Sequence, residues 1–565
     1  MKTSQKVVFV LFISLFLVLC IASMRNNSYT DSEPIYIFQG YSYLAKGETF
    51  QSGHPIMTGL ISALPLMFTK IDFPPFEDVY HAQRYARNEF LYYGSNDPDR
   101  IVFLSRLPFV ILSIIFAIYV FKWASDLYGI NAGLFALMIY VLNPDMISNS
   151  TLVMTDLPVA GFMFICLYYY WKVNSRDEGL FRNTIFSGIF FGFAITTKST
   201  AIFLLPLLII LPFFFKKDFR FILRRFLLIL LIGISVFALI NIRDIAPIYN
   251  NNNKFYQSGS QEFRSDERLD SLLTMVTKNE NLQDIIKYTL TKIPFPGSNS
   301  IQSYLVQVLH SQIGHPQYFL GEYNYHGVWY YYLIVYLIKT PIALILFFIA
   351  SLIFFNKIRN RNLSNELYVL SIIASILFIV SFIMKLNLGL RHTLIVHLAG
   401  FVFLSKIIKL VKLNILYKVF IVLMGAWYVV ASLMIFPYYI SYFNEFVGGP
   451  NNGHKYLVDT SLDLGQDLKR LGIYLEENPI ANIKLKYAGF EKPSYRGITH
   501  ENLTCEPTSG NLIISASALE GVLYHEGKNV PDLECYKWLR GFEPVHKIGY
   551  SIFIYNLSKE DIESL

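Results

Sequence analysis

Two carboxylates follow the first long apolar run of this chain, in Tyr29-Thr30-Asp31-Ser32-Glu33-Pro34, with Gly40-Tyr41-Ser42-Tyr43-Leu44 and Gly53-His54-Pro55 close behind. A third, Asp156, stands in Met154-Thr155-Asp156-Leu157-Pro158, where another apolar run begins. A carboxylate placed beside a substrate hydroxyl takes its proton, which is general-base catalysis. The same residues also suit a structural role, with Thr30 or Asp31 as a helix N-cap and Asp156 as a cap ahead of Pro158. The basic candidates are Lys198 in Thr196-Thr197-Lys198-Ser199-Thr200, Arg391 after Gly389, and Arg243 beside Asp244. Such cations hold an anionic ligand by charge-assisted hydrogen bonds, or lay long side chains along a membrane interface. No His/Cys cluster has metal-ligand spacing and no glycine-rich phosphate loop occurs, so no cofactor is firmly implied. A single divalent metal held by the carboxylates remains an open alternative.

These residues are separated by long apolar stretches, and the composition says what kind of molecule positions them. Of 565 residues, 53% are hydrophobic and only 16% charged, where a soluble chain carries roughly a quarter charged. The charges sit in short runs between apolar segments, as expected when lipid is the solvent. The net charge of +7 follows from lysines and arginines flanking those segments and does not point to nucleic acid. The first apolar segment, residues 7–23, resembles a signal peptide, but no small-x-small cleavage site follows and a retained helix is expected. Further segments centre near Ile114, Met138, Phe164, Phe190, Leu208, Leu230, Ile345, Ile373, His397 and Val429. The expected fold class is therefore a polytopic α-helical membrane protein with about 11 transmembrane helices.

Loop charges set the expected orientation. With a cytoplasmic N-terminus, every inner loop is basic, the richest carrying Lys216, Lys217, Arg220, Arg224 and Arg225. The short outer loops carry only Lys198, Lys385 and Arg391. This puts residues 24–100, residues 243–327 and the tail outside, in a multi-pass protein of the plasma membrane. Residues 1–445 form the transmembrane part. After Gly448-Gly449-Pro450 hydrophobicity falls, and residues 446–565 are expected to form a small extracytoplasmic α/β domain. Its helix is placed at residues 464–477 and its strands near 483–487, 512–515 and 550–555. Cys505 and Cys535 lie here, where an oxidising compartment permits a disulfide; two unpaired thiols fit the sequence equally.

The order of these short motifs carries a resemblance. Asp31-Ser32-Glu33-Pro34, Gly40-Tyr41-Ser42-Tyr43-Leu44, His54-Pro55, Ser105-Arg106-Leu107, Leu127-Tyr128-Gly129, Thr155-Asp156 and Thr197-Lys198 follow one another. Tyr318-Phe319-Leu320-Gly321, Lys339-Thr340-Pro341, Gly389-Leu390-Arg391-His392 and Asp463-Leu464-Gly465-Gln466-Asp467-Leu468-Lys469 continue the series. Together they resemble the prokaryotic family 39-type glycosyltransferases of the C-type superfamily, relatives of protein O-mannosyltransferases and of the lipid A aminoarabinose transferase. Such proteins usually show adjacent Asp-Glu before the proline, whereas Ser32 separates Asp31 from Glu33 here, and Leu464 replaces a usual Trp. The base assignment between Asp31 and Glu33 stays open at this point.

The resemblance implies transfer of a sugar from a polyprenyl-phosphate donor to an acceptor hydroxyl by inverting displacement, at a membrane face. Asp31 or Glu33 would be the base, with Asp156 in the same site. His54, Lys198, Arg243 and Arg391 would bind substrate, the cations stabilising the departing phosphate. The partners implied are the lipid-linked donor, the lipid bilayer, and a protein, lipid or glycan acceptor. A transporter or flippase of lipid-linked sugars shares the apolar runs, but the chain shows no internal repeat and its candidate ionisable groups cluster at one face. A sensor or assembly protein would leave the paired carboxylates without a task.

Overall fold

The computed structural model describes residues 1–49, 52–74, 85–86, 88–248, 255–256, 262–263, 273–274, 277–315, 317–324, 326–384, 386–522 and 534–564. Lys385, expected in a short outer loop, falls outside them, as do parts of both large loops. All eleven apolar runs are helical, but they are not alike. Six are long and apolar enough to cross a membrane alone: Thr3–Arg25, Pro98–Tyr128, Phe219–Ile240, Leu363–Ile383, Leu390–Lys412 and Ile415–Met434. Two bent pairs add up to two more spans, Ile130–Val141 with Pro144–Ser150 at 64° and Tyr331–Lys339 with Ile342–Ile353 at 115°. By length and composition the count is thus six to eight among the described residues, below the expected eleven.

The three segments that fall short have a physical reason. Asp156–Ser175 is buried along nearly its whole length by neighbouring helices. It therefore tolerates three tyrosines, Lys172 and Asn174 without meeting lipid. Leu180–Thr197 begins with Arg182 and Asn183, and the apolar stretch Ser199–Phe215 breaks into short helical pieces. Elsewhere the helices turn large apolar side chains outward, with Leu231 63%, Leu239 68% and Met434 80% exposed. Faces of that kind are stable only where lipid covers them.

Helix starts follow local chemistry. Asp97 caps Pro98–Tyr128 by accepting the Arg100 amide at 3.2 Å, with Pro98 in the first turn. Asn143 caps Pro144–Ser150 through the Met146 amide at 3.1 Å. The first large loop is built on two short helices, Glu33–Tyr41 and Met57–Ala63, which cross at Gly40 and Gly59. A Cβ on Gly40 would lie 1.8 Å from the Gly59 carbonyl oxygen.

The tail carries a five-stranded mixed sheet in the order His546–Ile548, Ile552–Leu557, Gly510–Ser515, Ile483–Lys486, Glu501–Asn502. Gly510–Ser515 runs parallel to Ile483–Lys486 and antiparallel to Ile552–Leu557. Period-two alternation sorts the side chains. Ile483, Leu485, Ile513 and Ile554 pack against Leu468 and Leu471 of the helix Leu468–Glu477. Leu512, Ile514, Phe553 and Tyr555 face the other way and join the core of the helical part. Cys505 and Cys535 are disulfide-bonded. A second sheet ties the parts together: Gln317–Phe319, in the second large loop, pairs with Leu457–Val458 of the tail.

The glycine crossing yields a test. Gly40→Ala forces the two loop helices apart, and overpacking of this kind costs about 1–3 kcal/mol. Thermal unfolding of the purified variant in detergent should show a lowered midpoint, while Gly425→Ala, where a Cβ meets nothing within 4 Å, should leave it in place.

Candidate active site between the first loop and the helix bundle

Arg106 and Glu33 form the frame. Arg106 lies within Pro98–Tyr128 and is 1% exposed; Glu33 opens the first loop helix and is 0% exposed. The guanidinium meets the carboxylate twice, at 2.8 Å from Nε and 2.6 Å from a terminal nitrogen. Its remaining donors go to the carbonyls of Met24, Asn27 and Ser28. The Glu33 oxygens also accept from the amides of Thr30 at 2.8 Å and Val153 at 2.9 Å. Five donors and two carboxylate oxygens are thereby all engaged. Glu33 has no lone pair left for a substrate proton, and the expectation of Glu33 as a base is corrected: it is a structural anchor.

What the anchor fixes is the stretch 30–32, and Asp31 on it lines a cavity of about 280 Å³. Around the same cavity stand His54, Asp156, Lys198, Arg391 and His392. Five of the seven expected site residues therefore converge: Asp31, His54, Asp156, Lys198 and Arg391. Asp156 begins the helix Asp156–Ser175, but its side chain does not cap it. Instead Lys198 Nζ donates to its Oδ1 at 2.6 Å, with both side chains under 8% exposed. Lys198 follows the end of Leu180–Thr197 in extended backbone, which swings the ammonium back toward Asp156.

Arg391 sits at the start of the Leu390–Lys412 segment, after Gly389 at φ 73°. A Cβ on Gly389 would fall 2.0 Å from Ser461 Oγ, so only glycine lets the chain turn here. Arg391 Nε donates to the Leu388 carbonyl at 3.2 Å, and one terminal nitrogen approaches Met154 Sδ at 4.0 Å. Its remaining N–H groups find no protein acceptor among the described residues. His392 Nε2 lies 3.9 Å from Asp156 Oδ1.

Arg243 is elsewhere. It donates to the carbonyls of Tyr43 at 2.9 Å and Leu44 at 3.4 Å, and its guanidinium lies over the Tyr43 ring. It clamps the first loop rather than lining the cavity, and the expectation of substrate binding is corrected. Asp244, its neighbour, accepts instead from Ser298 and Asn299.

Four other cavity residues were not singled out in the sequence, Gln307, His315, His392 and Thr460, while Leu464 was noted there only as a replacement for Trp. His392 stood inside a quoted motif, beside Arg391. Gln307 donates to the Gly53 carbonyl at 3.0 Å and so holds the second loop over the first. The tail contributes Thr460 and Leu464, and its docking fixes the approach to Asp31. Gln466 accepts from the Ser28 amide at 2.9 Å, the Lys469 amide donates to Ser28 Oγ at 2.8 Å, and Arg470 donates to Asn27 Oδ1 at 2.6 Å. Asp463 accepts from the amides of Gly465 and Ser517, and burial pushes its carboxyl up to about 6. Among the described residues no three His, Cys, Asp or Glu side chains gather closely enough to hold a metal ion.

The helices and this charged cavity define a polytopic membrane protein with a polar site at the level of its helix ends. Residues 102–242, about a quarter of the chain, match the family model described as dolichyl-phosphate-mannose-protein mannosyltransferase. Over those residues the match agrees with the resemblance that the ordered motifs carry. No curated protein matches it. Among solved structures it is similar to ArnT from Cupriavidus metallidurans bound to undecaprenyl phosphate, at 11% identity and TM-score 0.44, covering 96% of this chain and 97% of that one. It is similar also to the Pmt1–Pmt2 protein O-mannosyltransferase complex of S. cerevisiae bound to its sugar donor, at 15% identity, TM-score 0.32 and coverage of 46% and 38%. A third is the oligosaccharyltransferase AglB from Archaeoglobus fulgidus with an inhibitory peptide and a dolichol-phosphate, at 12% identity, TM-score 0.41 and coverage of 76% and 55%. The chain thus spans less than two-thirds of the yeast and archaeal chains. At these scores the likenesses carry no argument about the site.

The anchor predicts a clear split between neighbours. Glu33→Gln leaves a buried guanidinium without its counter-charge, a loss of about 3–5 kcal/mol. Its unfolding midpoint in detergent should fall steeply, whereas Asp31→Asn should unfold like the parent.

Proposed function

We propose that this protein transfers a sugar from a polyprenyl-phosphate donor to an acceptor hydroxyl, by inverting displacement in the cavity around Asp156. The observation that supports it is the convergence of Asp31, Asp156, Lys198 and Arg391 on one cavity between the first loop and the helix ends. Asp31 takes the acceptor proton as the acceptor oxygen bonds to the anomeric carbon. The bond from that carbon to the phosphate oxygen breaks, and polyprenyl phosphate leaves with the electron pair. Lys198 and Arg391 hold the phosphate, whose charge grows as the bond breaks, so the contacts strengthen toward the transition state. Asp156 positions Lys198, and His54 lines the same cavity. The acceptor is a protein, lipid or glycan hydroxyl.

Removing a general base costs about 10²–10⁴ in rate. Asp31→Asn should lose turnover by that factor when release of free polyprenyl phosphate is followed across a panel of lipid-linked sugars. Full turnover in this variant removes Asp31 from the mechanism. A transporter would move donor across a vesicle membrane without releasing free carrier lipid.

Loss of a charge-assisted phosphate contact costs about 1.5–3 kcal/mol, roughly ten- to a hundred-fold in affinity. Arg391→Ala should therefore bind donor that much more weakly while binding an unphosphorylated polyprenol unchanged. Lys198→Ala should do the same, with a further loss of folding stability because the buried Asp156 loses its hydrogen-bonded cation. Equal donor affinity in parent and Arg391→Ala would leave Arg391 as an interfacial anchor.

The basic loops support a plasma-membrane protein with a cytoplasmic N-terminus and an outside tail. A cysteine introduced at Thr508, beside Gly510, should react with an impermeant maleimide added outside intact cells, and one near Arg359 should not. Labelling in the opposite sense overturns the orientation.

A further inference from the structure

At the far end of the helices from the catalytic cavity lies a larger one of about 860 Å³. The helix Thr3–Arg25 contributes Gln5, Val8 and Phe12 to its wall, and Ile130–Val141 contributes Phe135 and Met138. The body of the groove is apolar. Its polar end is formed by Lys409, Lys412 and the first turn of Ile130–Val141. That turn follows Gly129, which offers no capping side chain, so the amides at the helix start are left without the usual partner. No acidic residue lines the groove. Glu366, the acid whose charge reaches Lys409, is itself paired with Lys406 at 2.9 Å. Lys409 is held in place by the Ile358 carbonyl at 3.0 Å and lies over the Tyr128 ring, while Lys412 is exposed.

We propose that this groove binds one anionic glycerophospholipid, its phosphate between Lys409, Lys412 and the start of Ile130–Val141, its acyl chains against Val8, Phe12, Phe135 and Met138. Two cations with no acid among them complement a phosphate, and an apolar trough beside them suits acyl chains rather than a free anion. The helix Thr3–Arg25 separates this groove from the catalytic loop. Counted from Val8, which lines the groove, to Arg25, that is roughly 25 Å at 1.5 Å per residue. A polyprenyl phosphate with its headgroup in the catalytic cavity cannot set the same phosphate here, so the occupant is a bilayer lipid of the opposite leaflet. The site requires nothing of the transfer reaction.

Phosphatidylglycerol and phosphatidylcholine with identical acyl chains are titrated into the full-length protein in detergent, with bound lipid counted by native mass spectrometry. The parent should retain one phosphatidylglycerol at least tenfold more tightly than phosphatidylcholine. Lys409→Ala with Lys412→Ala should erase that preference, and Lys412→Ala alone should reduce it severalfold without disturbing the contact that Lys409 makes. Val8→Trp, on an exposed position of the groove wall, should weaken both lipids alike. Equal binding of the two lipids by the parent overturns the proposal. So does an unchanged preference in both lysine variants, or unchanged binding in Val8→Trp. Tighter binding of undecaprenyl phosphate than of phosphatidylglycerol overturns the assignment to a bilayer lipid.

Discussion

The contact between Arg106 and Glu33 decides where the charged cavity can be. Burying two charges is expensive, and such a pair persists only where every remaining donor and acceptor is met. Here the guanidinium reaches the end of the first helix through Met24, Asn27 and Ser28, while the carboxylate reaches Thr30 and Val153. One ion pair therefore joins the first helix, the first loop, Pro98–Tyr128 and the segment ahead of Asp156. A lysine could not replace the arginine, because its three donors do not fork to so many fixed acceptors. With residues 28–33 pinned on both sides, Asp31 is held on the side of that stretch that faces Asp156 and Lys198.

The tail closes the cavity from the opposite side. Lys339, buried within the helical part, donates to the carbonyls of Ile440 and Ser461. Tyr331 donates to Asp459 and accepts from the Gly389 amide at 2.9 Å. Thr460 Oγ1 donates to the Leu388 carbonyl at 3.2 Å. Residues 459–461 are thus sewn to the turn that carries Arg391. Asp99 receives Lys469 and Arg496, but it is 39% exposed, so this outer pair adds little to stability and serves mainly alignment. The signature around Gln466 holds residues 27 and 28 through the Gln466 carbonyl, the Lys469 amide and the Arg470 guanidinium.

Much of this was legible in the sequence, and what was not follows a pattern. Apolar runs announced the helices, alternation announced strands near 483–487, 512–515 and 550–555, and Lys198 and Arg391 stood out as cations against the loop-charge trend. Asp156 was visible as a carboxylate at a helix start, though not as the partner of a lysine 42 residues on. Glu33 and Asp31 could not be told apart, because the distinction rests on Arg106, 73 residues away. Arg243 looked like Arg391 in sequence; only the position of the Tyr43 and Leu44 carbonyls separates them. All eleven apolar runs are helices, but only six to eight pass as spans by length and composition among the described residues, because a helix buried by protein, such as Asp156–Ser175, can carry polar side chains.

The backbone breaks near the cavity are part of the same design. Residues 141–156 bend between two helices, the chain after Thr197 leaves helical geometry, and Gly389 turns sharply before Arg391. Within a bilayer such breaks are tolerated where protein or a polar cavity satisfies the freed amides and carbonyls. Their result here is a cluster of charges at the helix ends: Lys198 and Arg391 against the buried Asp156. Two cations face two acids there, Asp31 and Asp156, and because Lys198 is taken up by Asp156, Arg391 is the cation with N–H groups open to the phosphate of the proposed donor. As the glycosidic bond of the proposed donor breaks, the phosphate gains charge, and the fixed cations gain with it. A site built from the cations alone would hold the phosphate product of the proposed reaction more tightly; Asp156 sets Lys198 in place and tempers that attraction.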